Sequence, residues 1–182
     1  METEINRTKW IVDPAHSELS FKVKHLMITN VKGEFREFEA NVYTDGKELM
    51  TSDIELTINP ASITTGDAQR DGHLKSADFF DVENHSQIVF KGNSFEKVSD
   101  GTYVLHGDLE MRGVRKPVKL DVEFGGVMKD PWGNEKAGFT VNGKISRKEW
   151  GLNWNAALET GGVLVSDEVK INGDVQLVRA SN

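Results

Sequence analysis

Five histidines, His16, His25, His73, His85 and His106, are the residues of this sequence best suited to move a proton or bind a metal. No two of them stand at i,i+2 or i,i+4, so no strand or helix presents a ready metal-binding pair. A site built from three of them needs tertiary convergence. Asp67 and Asp71 are four apart on a predicted helix and face the same way. Carboxylates so spaced could hold a cation or share a proton, but a solvated helix face with acids near its N-terminus has the same pattern. The chain contains no G-x-S-x-G elbow, H-E-x-x-H pair, phosphate loop, dinucleotide fingerprint or EF-hand loop. It has no cysteine, which removes thiolate chemistry, disulfides and iron–sulfur clusters. The expectation is a protein that is not an enzyme, with no catalytic residues, no metal and no cofactor.

Alternation is the stronger signal. Leu19, Phe21, Val23 and His25 share one face of a strand, opposite Glu18, Ser20, Lys22 and Lys24. Phe38, Ala40 and Val42 alternate likewise, and an extra residue near Arg36-Glu37 would bring Phe35 into phase. Further series are Ile54-Leu56-Ile58, Ile88-Phe90, Tyr103-Leu105-Leu109, Val118-Leu120-Val122-Phe124, Ala137-Phe139-Val141-Ile145 and Val169-Ile171-Val175-Leu177. Asp45-Gly46, Asp100-Gly101, Gly125-Gly126 and Trp132-Gly133-Asn134 read as turns between antiparallel neighbours. Eight amphipathic strands need one shared core, in a closed barrel or a sandwich. One segment breaks the pattern. Thr65 reads as the cap of a short helix through Leu74, inserted between strands four and five and followed by Phe79 and Phe80.

Four glycines, Gly92, Gly107, Gly143 and Gly173, fall on the inward phase of their strands. They either leave the middle of the barrel hollow or let the sheet coil tightly enough to close. The inward series place Phe21, Val23, Phe38, Phe90, Leu109, Phe139, Val141 and Gly143 along a bore. His25 ends one such series and is a candidate polar group at the mouth. Phe79 and Phe80 are expected to cap the bore, with Arg70 and His73 beside them. Trp150 and Trp154 suit a rim, apolar body inward and N–H outward.

Composition limits the partners. The 22 basic and 29 acidic residues leave a net charge of −7, so binding to a phosphate backbone is not expected. No run reaches the ~18 apolar residues of a membrane helix, so no integral membrane segment is expected. The N-terminus Met1-Glu2-Thr3-Glu4-Ile5 has neither the basic nor the apolar region of a secretory leader. The expected location is the cytoplasm, or the periplasm if a leader has been removed.

Several blocks together resemble the YceI-like family of bacterial polyisoprenoid-binding proteins. They include Trp10-Ile11-Val12-Asp13-Pro14-Ala15-His16-Ser17, Val31-Lys32-Gly33-Glu34-Phe35 and Arg70-Asp71-Gly72-His73-Leu74-Lys75-Ser76-Ala77-Asp78-Phe79-Phe80-Asp81. Arg147-Lys148-Glu149-Trp150-Gly151-Leu152 and Val165-Ser166-Asp167-Glu168-Val169 continue the match. The resemblance implies an all-β, extended eight-stranded antiparallel lipocalin-like barrel. Its apolar bore would bind, store or transport a long-chain isoprenoid or similar amphiphile with the head at the mouth. A homodimer is a further expectation. The expected division is an extension over 1–9, one domain over 10–178 and a tail over 179–182. Two other readings stay open: a stress-linked interaction scaffold whose barrel is filled, and a hydrolase of such a lipid using a metal, or Asp71 with His73.

Overall fold

The computed structural model describes residues 7–26, 28–45, 48–155 and 165–180. In chain order the strands are β1 (Arg7–Val12), β2 (Glu18–His25), β3 (Thr29–Phe35), β4 (Phe38–Asp45), β5 (Glu48–Ile58) and β6 (Ile63–Thr64). After helix α1 (Ala68–Lys75) come β7 (Ile88–Ser99), β8 (Thr102–Met111), β9 (Val114–Lys129), β10 (Glu135–Ser146) and β11 (Glu168–Arg179). All pairings are antiparallel, and the pairing of β1 with β11 closes the sheet.

These segments make eight barrel strands because three of them are bent. β1 and β2 lie end to end along the same side of β11, Val12 opposite Leu177 and Glu18 opposite Asp174. Between them Asp13 caps a 3-10 turn started by Pro14, accepting from the Ala15 N–H at 3.1 Å and bonding the His16 ring at 2.8 Å. β3 and β4 are likewise two arms of one strand, pairing β2 and β1 respectively and broken at Arg36-Glu37, where the phase slip of Phe35 demands it. β5 and β6 repeat the bend at the 3-10 turn Pro60–Ser62. The breaks are tied together: the Arg36 N–H donates to the Ser62 carbonyl and the Glu37 N–H to the Ser62 hydroxyl.

Several expectations are corrected. The helix follows the third barrel strand, not the fourth: it lies between β6, the second arm of the third strand, and β7, the fourth. Its cap is Asp67, whose carboxylate accepts from the Gln69 and Arg70 N–H groups at 3.0 and 3.1 Å; Thr65 is bonded elsewhere. Gly125-Gly126 is a bulge inside the 16-residue β9, not a turn: Gly126 faces Gly138, Phe124 faces Phe139, and Gly125 is the extra residue. Residues 7–9 and Arg179 belong to barrel strands, not to flanking extensions.

The two ends differ. One carries the β4–β5, β7–β8 and β9–β10 connections, and Trp10, Val42, Ala137 and Leu177 pack into a buried plug there. The other carries the β2–β3 and β8–β9 hairpins, α1 with the segment that follows it, and the stretch after β10. This end is the mouth.

Candidate functional site

Between the plug and the mouth lies a cavity of about 430 Å³, within the ~300–1,000 Å³ of small-molecule sites. Phe21, Val23, Phe38, Phe90, Leu109, Phe139 and Val141 all line it, as the inward phase requires. Gly143 does not. A Cβ there would sit 2.6 Å from the Leu120 side chain, so the space beside Gly143 is already taken. The other inward glycines are also covered. The Phe90 ring lies over Gly107, where a Cβ would meet it at 2.6 Å, and Leu19 lies over Gly173 at 3.1 Å. Gly33, which faces Phe21 across the β2–β3 pair, is covered by the Phe21 ring. Of these glycines only Gly173 borders the cavity itself. The others let large neighbours lie flat against the wall, leaving the axis free.

At the mouth the structure brings together His25, Arg70, His73, Phe79, Phe80 and Trp154, all on the cavity lining. Phe79 is 6% exposed and meets His73 edge-on at 5.1 Å and Trp154 at 5.5 Å. His73 also meets Trp154 edge-on at 4.7 Å, and its ring bonds the Asp78 carboxylate at 2.8 Å. Phe80 meets Phe35 at 5.7 Å, and Phe35 meets Phe21 at 5.6 Å, so an aromatic line runs from the cap into the barrel wall. Arg70 clasps Thr65 through its side-chain oxygen at 2.8 Å and its carbonyl at 2.9 Å. Asp71 accepts from the Thr65 N–H and hydroxyl at 2.8 and 2.6 Å. The Asp67–Asp71 pair is thereby divided between capping and this clasp, and neither acid lines the cavity. His16 is held by Asp13, in the bend between β1 and β2.

Trp150 is a correction. It is 1% exposed and packed in the core, and its indole N–H donates to the Leu109 carbonyl at 2.9 Å. It closes the barrel end and does not line the cavity, because an indole whose N–H finds a backbone acceptor can be buried whole.

Arg147 was not among the expected site residues, yet it lines the cavity at 3% exposure. Counting the Val141, Gly143, Ile145 series one step further would have found it. Its guanidinium donates to the carbonyls of Ser166 (2.9 Å), Leu152 (2.6 Å) and Trp154 (2.9 Å). Its plane lies 6.0 Å from the Phe79 ring. Burial pulls its pKa below the ordinary value, and the Asp167 charge opposes that shift. Asp167 in turn is held below the usual carboxylate range, first by the Ser146 hydroxyl and then by the Lys148 N–H and the two nearby cations, against a desolvation that raises it. Among the described residues the charged side chains on the lining are all cations, Lys24, Arg70 and Arg147, in a chain of net charge −7. Among the described residues no group of three or more His, Asp or Glu could hold a metal ion.

The profile of the YceI-like domain matches residues 10–177. A UPF0312 protein of Staphylococcus aureus (strain USA300) is 41% identical over 170 residues, 93% of this chain and 96% of its own. A crystal structure of a mutant YceI protein from Campylobacter jejuni superposes with a TM-score of 0.75 at 33% identity, covering 88% of this chain and 91% of that one. A polyisoprenoid-binding domain from Saccharophagus degradans, implicated in plant cell wall breakdown, shares the fold at a TM-score of 0.65 and 15% identity, over 94% of this chain and 98% of that one. With the profile spanning residues 10–177 of the 182, the chain belongs to the YceI-like family.

Proposed function

We propose that this protein binds a long-chain isoprenoid or similar amphiphile, tail in the bore and head at the mouth, and stores or carries it. The carrying observation is the apolar cavity, which runs from Val42 and Leu177 beside the plug to Arg70, His73 and Trp154 at the mouth. A chain threaded there gains roughly 0.8 kcal/mol per buried methylene before the costs of ordering. Among the described residues the cavity lining at the mouth offers cations and donors and no carboxylate, which favours an anionic or acceptor-rich head. The polyisoprenoid-binding relative in the same fold supports the reading by analogy.

Binding fits these side chains better than turnover. His73 is held by Asp78, Asp71 by Thr65 and Arg147 by four carbonyls, the fourth that of Val165. None is poised as a base beside a nucleophile. The space that the side chains leave along the axis also argues against a barrel filled as a plain scaffold.

Mass spectrometry of an organic extract of the purified protein should return a long-chain lipid in amounts approaching the protein's. Val141→Trp, placed in mid-bore, should still fold and should carry much less. An extract without lipid, together with no binding of added polyprenyl phosphate or long-chain fatty acid, would remove the proposal. Chemical conversion of an added lipid would replace it with the enzymatic reading.

A further inference from the structure

The outer face of β3, β2, β11 and β10 carries lysines in directly opposed register. Lys32 faces Lys22, Lys22 faces Lys170, and Lys170 faces Lys144. Like charges directly across a sheet destabilise it. One of the four is neutralised, Lys32 by Glu18 at 3.1 Å. Among the described residues no carboxylate lies within salt-bridge distance of the other three, and all four are exposed. Each stands two or three residues from the mouth end of its strand. Charge on this face is also graded along the barrel. Next toward the plug the central strands carry uncharged Ser20, Asn172 and Asn142, flanked by Glu34 opposite Ser20 and Asp121 opposite Asn142, and beyond them Glu18 faces Asp174. A chain of net charge −7 thus keeps a row of cations beside its opening.

The hairpin that joins two of these strands ends in apolar residues. Ile28 is 79% exposed and Leu26 is 38% exposed, next to His25 on the cavity lining. Leu26 has a left-handed backbone, φ 55°, a conformation that Gly or Asn adopts at lower cost. A strained turn therefore holds bulky apolar side chains in water at the rim of the opening.

We propose that the β2–β3 tip and the lysine row dock the mouth of the barrel onto an anionic lipid bilayer. Leu26 and Ile28 enter the headgroup boundary, and the lysines meet lipid phosphates behind them. The acidic pair Glu18 and Asp174 lies toward the plug, with Glu18 reaching back to Lys32, while Glu168 stands on the mouth side of the row. Nucleic acid would engage the lysines but gives the apolar tip nothing to enter. The docking goes beyond the cargo reading and does not require the bore to be occupied.

The test is co-sedimentation of the full chain with vesicles of phosphatidylcholine alone and of phosphatidylcholine mixed with phosphatidylglycerol. Binding should appear with the mixed vesicles and weaken as salt rises. Each lysine near the surface contributes roughly fivefold, so the double variant Lys22→Gln, Lys170→Gln should lose on the order of twentyfold. The same variant should melt no lower than the parent, because it relieves an opposed like-charge pair. Ile28→Ser should weaken binding with little change in its salt dependence. The proposal is overturned by equal binding to both vesicle types, by no binding to either, by a double variant that binds as the parent does, or by salt-sensitive binding to duplex DNA without binding to vesicles. Whether lipid is found in the extract bears on the cargo alone.

Discussion

Trp10 and Trp150 are buried to 3% and 1% at opposite ends of the barrel. Trp150 donates its indole N–H to the Leu109 carbonyl at 2.9 Å, while the Trp10 indole nitrogen is buried without a hydrogen-bond partner. The plug around Trp10 is closed by apolar packing among Val42, Ala137 and Leu177. The mouth around Trp150 is built from hydrogen bonds. Arg147 ties together the carbonyls of Leu152, Trp154 and Ser166, Asp71 and Arg70 clasp Thr65, and His73 bonds Asp78. Close packing has no low-energy open form. A cap made of polar clasps over an apolar cavity can exchange its bonds for water one by one. The contrast assigns permanence to one end and opening to the other.

The largest expected effect is at the plug. Trp10→Ala should cost about 3–5 kcal/mol, the range for removing a buried large aromatic. Urea unfolding measures it, and a loss below about 1 kcal/mol would mean that the plug does not hold the barrel shut. Phe79→Ala at the mouth should cost less, about 2–3 kcal/mol, because one side of its ring already borders the cavity and loses no packing there. It should also speed the release of a bound fluorescent fatty acid in stopped flow. Faster release from the Trp10 variant with no change for the Phe79 variant would reverse the assignment of the two ends.

This contrast was only partly legible in the sequence. The eight alternating series correspond to the eight barrel strands because a half-buried strand has a period of two whatever its neighbours do. The bends were harder to see. Only the one at Arg36-Glu37 left a phase slip, whereas Pro14 and Pro60 start 3-10 turns after which pairing resumes, so β1 and β6 passed unnoticed. At the mouth, Phe79, Phe80, Arg70 and His73 stood out as aromatics and cations outside the strand pattern. Arg147 did not, since its inward phase was not followed past Ile145. The plug was missed with β1: Trp10 and Val12 alternate too briefly to announce a strand. The inward glycines were found, but what covers each one is a cross-strand fact. Leu120 over Gly143 and Phe90 over Gly107 depend on pairing and rotamer, which phase alone does not contain.

A gentler pair of substitutions sharpens the comparison. Tryptophan to phenylalanine removes similar volume at both ends, but only at position 150 does it break a hydrogen bond. Trp10→Phe also removes a buried, unpaired donor, which offsets part of the lost packing. Trp150→Phe leaves the Leu109 carbonyl short of a partner. The second variant should therefore be less stable than the first by about 1 kcal/mol, read from denaturation midpoints at constant m-value. Equal losses would mean that the mouth, like the plug, rests on packing alone.

The smallest effect is one of pH, and it belongs to the mouth. Asp167 accepts from the Ser146 hydroxyl and the Lys148 N–H, and its charge faces Arg147. These contacts hold its folded pKa below the ordinary carboxylate value. For a carboxylate depressed on folding, the stabilisation is fully present above the unfolded pKa, about 3.9, and is lost as pH falls through the folded one. Protonation there also removes a countercharge to the buried guanidinium, so the Arg147 tie weakens in the same window. Asp167→Asn should therefore be less stable than the parent near neutrality, and the gap should narrow below about pH 4. Ligand release from the parent should quicken over that window, and the Asn variant should show faster release already at neutral pH with a flatter acid response. A stability gap that stays constant from neutrality to low pH would show that Asp167 acts through shape, not charge, and would leave the opening of the mouth to the aromatics alone.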